Sequence, residues 1–219
     1  MRLSRLGGWC GVVGPVLFTA AWVVSSLRQA GHSATEVQLS GLAADDARDP
    51  QIMVAGFVVL GACSIGFGIA LRRALWPRAA GAWLVIVAGA AAVAAGIFRR
   101  DHLLLAGPGF AGESWHNQVH DVVSGVAYGA MLAAPLVLAQ GFRGDPGWAV
   151  ISRPVLVLAL GSAVALAVFA SRVAEPWNGT VQRMAVTLAL GAEALTAARM
   201  LTGVGRGRRS LAGFEPRQR

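Results

Sequence analysis

Apolar residues along this chain gather into six long runs separated by short polar stretches. Five of them carry no charge: Leu6–Leu27, Gln51–Leu71, Ala79–Phe98, Val122–Phe142 and Pro154–Ser171. In the sixth, about Val181–Thr202, Glu193 and Arg199 stand among apolar neighbours. An α-helix rises about 1.5 Å per residue, so roughly 20 residues cross about 30 Å of hydrocarbon. The runs are about twice the length of barrel strands and do not alternate, which selects helices over a barrel. The pattern predicts an all-α fold, a polytopic six-helix membrane bundle. Spans are expected near residues 6–27, 51–73, 79–98, 117–142, 152–172 and 181–202, in one domain over 1–203. Residues 204–219, rich in Gly and Arg, read as a disordered cytoplasmic tail.

The polar stretches carry their own signals. Ser33-Ala34-Thr35-Glu36 has the spacing of a capping box, and Val37, Leu39, Leu42 and Ala43 follow it. This predicts a short amphipathic helix lying on the membrane surface, as a lid or as a plain closing element. The turns around Trp76-Pro77 and Gly144–Gly147 are short and predict tight helical hairpins. Gly125-x-x-x-Gly129, and Gly61, Gly66 and Gly68, predict close approach between helices. Pro135 is expected to kink the fourth helix and Pro154 to open the fifth.

Composition agrees with a membrane protein: 55% of residues are hydrophobic and 14% charged. The net charge of +8 comes entirely from arginine, with no lysine. These charges sit in loops between spans, so they speak of topology and not of nucleic acid. With the N terminus inside, the cytoplasmic segments hold Arg2, Arg5, Arg72, Arg73, Arg78, Arg143, Arg153 and the tail arginines. The other side holds most of the acids, among them Asp45, Asp46, Asp49 and Asp101. The excess of arginine inside places both termini in the cytoplasm of a multi-pass cell-membrane protein. Trp9, Trp76 and Trp148 then fall at the inner boundary, and Trp115 and Trp177 at the outer one. The first run, preceded by Arg2 and Arg5, resembles a signal peptide but is long and lacks a convincing cleavage site, so a retained helix is expected. Cys10 and Cys63 lie in no CxxC pattern, and buried free thiols are expected.

All four histidines, His32, His102, His116 and His120, fall on the predicted outer side. Asn117, His120, Asp121, Ser124 and Tyr128 share one arc of the fourth helix, and such groups are costly in lipid unless they face the bundle interior. Three readings stay open. His116 and His120, four residues apart, with Asp101 as a third ligand, offer a divalent-metal site. His120 beside Asp121 or Asp101 suits general acid–base work. Alternatively, these residues hydrogen-bond the loops together. Haem is not expected, because no histidine lies in another span, and no nucleotide is expected. Gln182 and Arg183 open the sixth helix, where Arg183 suits either a bidentate anion clamp or snorkelling to head groups, with Asp101 as a candidate ionic partner. Glu193 is the acid deepest in an apolar run, functional by default and otherwise protonated and hydrogen-bonded.

Several short motifs carry a resemblance in order and spacing. They are Gly14-Pro15-x-x-Phe18, Gly31-His32-Ser33 with Ser40-x-Leu42-Ala43, and Gly56-Phe57; then Phe98-x-x-Asp101, and Trp115-His116-x-x-x-His120-Asp121 with Ser124; then Phe142-Arg143-x-Asp145-Pro146-x-Trp148, and Gln182-Arg183. Over about residues 8–201 the chain resembles the bacterial and archaeal integral-membrane family known as domain of unknown function 998. The resemblance implies one six-helix domain in a prokaryotic plasma membrane and no particular activity. Glu193 stands where that family usually looks apolar or aromatic. The leading expectation is a membrane-embedded enzyme or binder of a lipid- or isoprenoid-like amphiphile. Asp101, His120, Asp121 and Glu193 would be its chemical groups, and Arg183, Gln182, Ser124 and Tyr128 its binding groups. Membrane lipids are the expected partners, and the oligomeric state stays open. The competing expectation is a non-enzymatic transporter, sensor or accessory membrane subunit.

Overall fold

The computed structural model describes residues 2–103 and 114–203. Its helices are α1 (Arg2–Arg28), α2 (Pro50–Leu75), α3 (Ala80–Ile97), α4 (Trp115–Arg143), α5 (Ala149–Ser171) and α6 (Asn178–Leu201). All six are long and apolar enough to cross a membrane, and the described residues contain no strand. The expected tail, residues 204–219, lies outside the described residues.

Each helix packs on the one before it, and α6 returns to α1, so the six close into a ring in chain order. Large apolar side chains such as Val16 and Leu17 on α1, Val122 and Val126 on α4, and Val157 and Val164 on α5 point outward and are exposed. A soluble protein avoids so broad an apolar surface, whereas acyl chains solvate it. Inside the ring are two apolar layers. One is built around Phe67, Leu71, Phe142, Trp148 and Val155 at the end holding both termini. The other, at the opposite end, is built around Phe18, Leu39, Leu42, Met53 and Leu190.

Residues of the α1–α2 connection belong to that second layer. Val37, Leu39, Leu42, Ala43 and Ala44 are all buried, and Leu39–Ala43 form one short 3-10 helix touching α1, α2 and α6. The expected surface helix is therefore a plug sunk into the mouth of the ring. Its physical reason is the run of small and apolar residues from Val37 to Ala44, which gains more from burial than from lying half in water. Ser33 Oγ pairs with Thr35 Oγ1 at 2.7 Å in place of a capping box, and the chain makes one turn there. The plug is tied down at its rear by Arg28–Asp49 (2.8 Å) and by Asp45–Arg99 (2.7 Å).

Three other expectations are corrected. Trp148 is 2% exposed and stacks on Phe142 with centroids 4.9 Å apart, so it packs in the core and not in an interfacial belt. A Cβ on Gly125 or Gly129 would meet nothing within 4 Å, so this pair is not a helix contact within the chain. The close crossing lies elsewhere: a Cβ on Gly61 would run into the Gly89 carbonyl, and one on Gly89 would come within 2.7 Å of the Gly61 carbonyl, which joins α2 to α3. Pro154 lies inside α5, which starts at Ala149 and not at the proline.

Candidate functional site

The plug divides the polar residues at the histidine-bearing end into two groups. Adjacent residues of α6 serve both, because consecutive helical positions point about 100° apart. Gln182 points toward α4, and Arg183 points toward α1.

On the α4 side, Gln182 Oε1 accepts from the Leu39 amide at 2.7 Å, and its Nε2 donates to the Tyr128 hydroxyl at 2.6 Å. Gln182 is 1% exposed, so it satisfies a plug amide that water cannot reach. His120, on the same helix as Tyr128, is also 1% exposed. Its Nδ1 lies 2.7 Å from the Phe98 carbonyl and 3.2 Å from the Ala95 carbonyl. Two carbonyls can only accept, so Nδ1 carries a proton, and Nε2 is the ring nitrogen left over. That atom is buried and has no partner among the described residues. Arg100, 7% exposed, is the charged neighbour of both His120 and Tyr128. Its Nη1 donates weakly to Gln38 Oε1 at 3.4 Å, and its Nε is unpartnered.

The remaining residues of the expected α4 arc separate. Asn117 is buried, Ser124 and Tyr128 are half-buried, and Asp121 is exposed, accepting from Asn117 Nδ2 at 3.4 Å. Asp101 accepts from the Ser114 amide at 2.7 Å and from Ser114 Oγ at 2.6 Å, and Ser114 in turn caps α4 through the Asn117 amide. The two Ser114 hydrogen bonds hold the Asp101 carboxyl below its usual range. His116 is exposed and lies against the Trp115 ring, with centroids 3.9 Å apart, while His120 points inward. No three His, Cys, Asp or Glu side chains among the described residues are grouped to hold a metal.

On the α1 side stands Arg183, 8% exposed. Its Nη1 donates to the carbonyls of Ala34 (2.6 Å), Val37 (2.8 Å) and Gly179 (3.0 Å), which draws the plug onto α6. Trp22 lies 5.5 Å from its guanidinium carbon. No acid pairs with it: the ion pairs among the described residues are Arg28–Asp49, Arg99–Asp45 and His102–Asp46. Its Nε and Nη2 are buried and have no partner among the described residues. The same holds for both ring nitrogens of His32 and for the hydroxyls of Ser25 and Ser26, one turn beyond Trp22 on α1. Burial, and then the Arg183 charge, hold His32 below the usual imidazole value, so it is neutral at pH 7. The sequence marks Arg183 as a binding group and His32 only as one of four outer-side histidines, and it gives no sign of Ser25, Ser26 or Arg100. Their shared signal, a buried polar atom lacking a partner, exists only once the helices are packed.

Glu193 lies apart from both groups, farther along α6. Its Oε1 accepts from Ser64 Oγ of α2 at 2.9 Å. Arg199 is turned away to the Gly147 carbonyl at 3.0 Å. Two surface grooves, one between α2 and α3 beside Val54 and Ile97 and one between α3 and α4 beside Gly81 and Leu138, include none of Asp101, His120 and Arg183.

A family model described as a protein of unknown function, DUF998, matches residues 12–199. No curated protein and no solved structure matches the chain.

Proposed function

We propose, from the premise that the chain belongs to the DUF998 family, that this integral membrane protein binds the anionic head of a lipid- or isoprenoid-like amphiphile beside Arg183. The observation that carries the reading is a buried guanidinium that has, among the described residues, no carboxylate partner and two unpartnered nitrogens. An unbalanced cation in a low-dielectric site is costly, and an anion bound there would offset that cost. Arginine suits the role because Nε and Nη2 form one edge of a planar fork that matches phosphate or carboxylate oxygens. His32, which the Arg183 charge reaches, supplies a further donor to the same head, and the tail would lie along the exposed apolar side chains of α1. His120 Nε2, on the far side of the plug, is the base within the same end of the bundle, and catalysis is the extension of this reading. On the arginine distribution, this end faces outward from the cytoplasm and both termini face inward.

The test is thermal unfolding of the purified full-length protein in detergent with farnesyl phosphate or farnesol. A ligand that binds only the folded state raises the midpoint. Farnesyl phosphate is expected to raise it and farnesol to leave it nearly unchanged. The shift should vanish in Arg183→Gln and shrink in His32→Gln, the second variant guarding against a folding defect in the first. Equal shifts from the two ligands, or an undiminished shift in both variants, would overturn the reading.

A further inference from the structure

The chain has two cysteines, one on α1 and one on α2, and the fold brings them together. Both thiols are free, and they sit on the same α1–α2 seam, Cys63 against Gly14 and Cys10 against Gly66. Their meeting is built into the helix crossing. Each cysteine packs on a glycine of the opposite helix: a Cβ on Gly14 would lie 2.6 Å from Cys63 Cβ, and one on Gly66 would lie 3.6 Å from Cys10 Sγ. Gly7 packs as tightly against Ala70 farther along the same seam. Glycines at these positions draw the two backbones close, and short separation between backbones is what a disulfide requires.

A carboxylate adjoins the pair. Glu193 of α6 is close enough to act electrostatically on Cys63. Its Oε1 accepts at 2.9 Å from the hydroxyl of Ser64, the residue after Cys63. Cys10 lies about 12 Å along α1 from its start, and Cys63 about 18 Å from the end of α2, at 1.5 Å per residue. Cys63 is therefore within the spanning part of the bundle and Cys10 follows Trp9 at its inner edge, where a lipid-soluble oxidant has access. They are half-buried, which leaves the sulfurs approachable.

We propose that Cys10 and Cys63 are a redox-active dithiol in the membrane span, oxidised to an intramolecular disulfide by a lipid-soluble quinone. Both S–H bonds break and one S–S bond forms. Two electrons and two protons pass to the quinone, which becomes the quinol. A thiolate is the reacting form, and hydrocarbon opposes its formation, so Glu193 takes the first proton and hands it on. Oxidation pins α1 to α2 and reduction frees them. This site is independent of the Arg183 pocket.

The experiment exposes the reduced full-length protein in lipid nanodiscs to decylubiquinone. The expected result is loss of both maleimide-reactive thiols per chain, with one quinol formed and no link between chains. Cys10→Ser and Cys63→Ser should each form no quinol. Glu193→Gln should slow the reaction at least about tenfold, while copper phenanthroline still closes its disulfide, which separates proton transfer from misfolding. Two thiols still free after quinone treatment, or a disulfide only between chains, would overturn the proposal. An unchanged rate in Glu193→Gln would remove Glu193 from it.

Discussion

His32 shows how a single side chain reports on its surroundings. Its ordinary value of 6.5 is lowered by burial and by Arg183. Below that value the unfolded chain holds a proton that the folded one does not, so acid favours unfolding. The His32 contribution to stability is whole above pH 6.5 and is lost as pH falls through that value toward the folded one. Unfolding midpoints measured from about pH 7.5 to 5.5 should therefore fall more steeply for the native protein than for His32→Gln. Parallel curves would remove His32 from the account. The same residue marks a limit of legibility. Its isolation on a loop gave no hint of its contact with Arg183, because that contact joins segments far apart in the chain. Asp101 shows the reverse: its proximity to α4 was readable, but its employment by Ser114 depends on how the turn at Ser114 folds.

Among elements, the spans were legible because an apolar run long enough to cross lipid has few alternatives. Their contacts were not. Gly125-x-x-x-Gly129 and Gly61 look alike as small residues in apolar runs, yet only Gly61 faces a neighbouring backbone. The difference lies in helix rotation, which the weakly patterned surface of a lipid-embedded helix does not reveal. Gly61→Ala is accordingly expected to destabilise the protein by about 1–3 kcal/mol through overpacking. Gly125→Ala should be neutral or stabilising by up to about 1 kcal/mol through helix propensity. Thermal unfolding of the two variants side by side decides it, and equal losses would contradict the packing. The loop-one segment closes the bundle as expected but is buried and not on the surface, for a related reason. A Ser-x-x-Glu spacing favours a helix start locally, but the apolar residues after it found a bundle to enter.

At the scale of the whole molecule, an even number of spans puts both termini at one end. The arginine distribution predicts which end faces the cytoplasm. Alkaline phosphatase fused after Leu201 should be inactive, since that enzyme matures only outside the cytoplasm, whereas fusion after His32 should be active. The opposite pattern would invert the proposed pocket. The division of polar groups into an Arg183 side and a His120 side was not legible at all, because it follows from where the plug enters the ring. Polar residues were readable as a set, and their partition was a property of the closed bundle.

The ring has an implication for how the protein is made. Every helix meets its sequence neighbour, so five of the six seams can form as the chain emerges. The seam between first and last helix must wait. The last helix also brings Gln182 and Arg183, the residues that fasten the plug. Until synthesis reaches them, that mouth stands ajar, and neither the arginine-side nor the histidine-side group of polar residues is yet assembled.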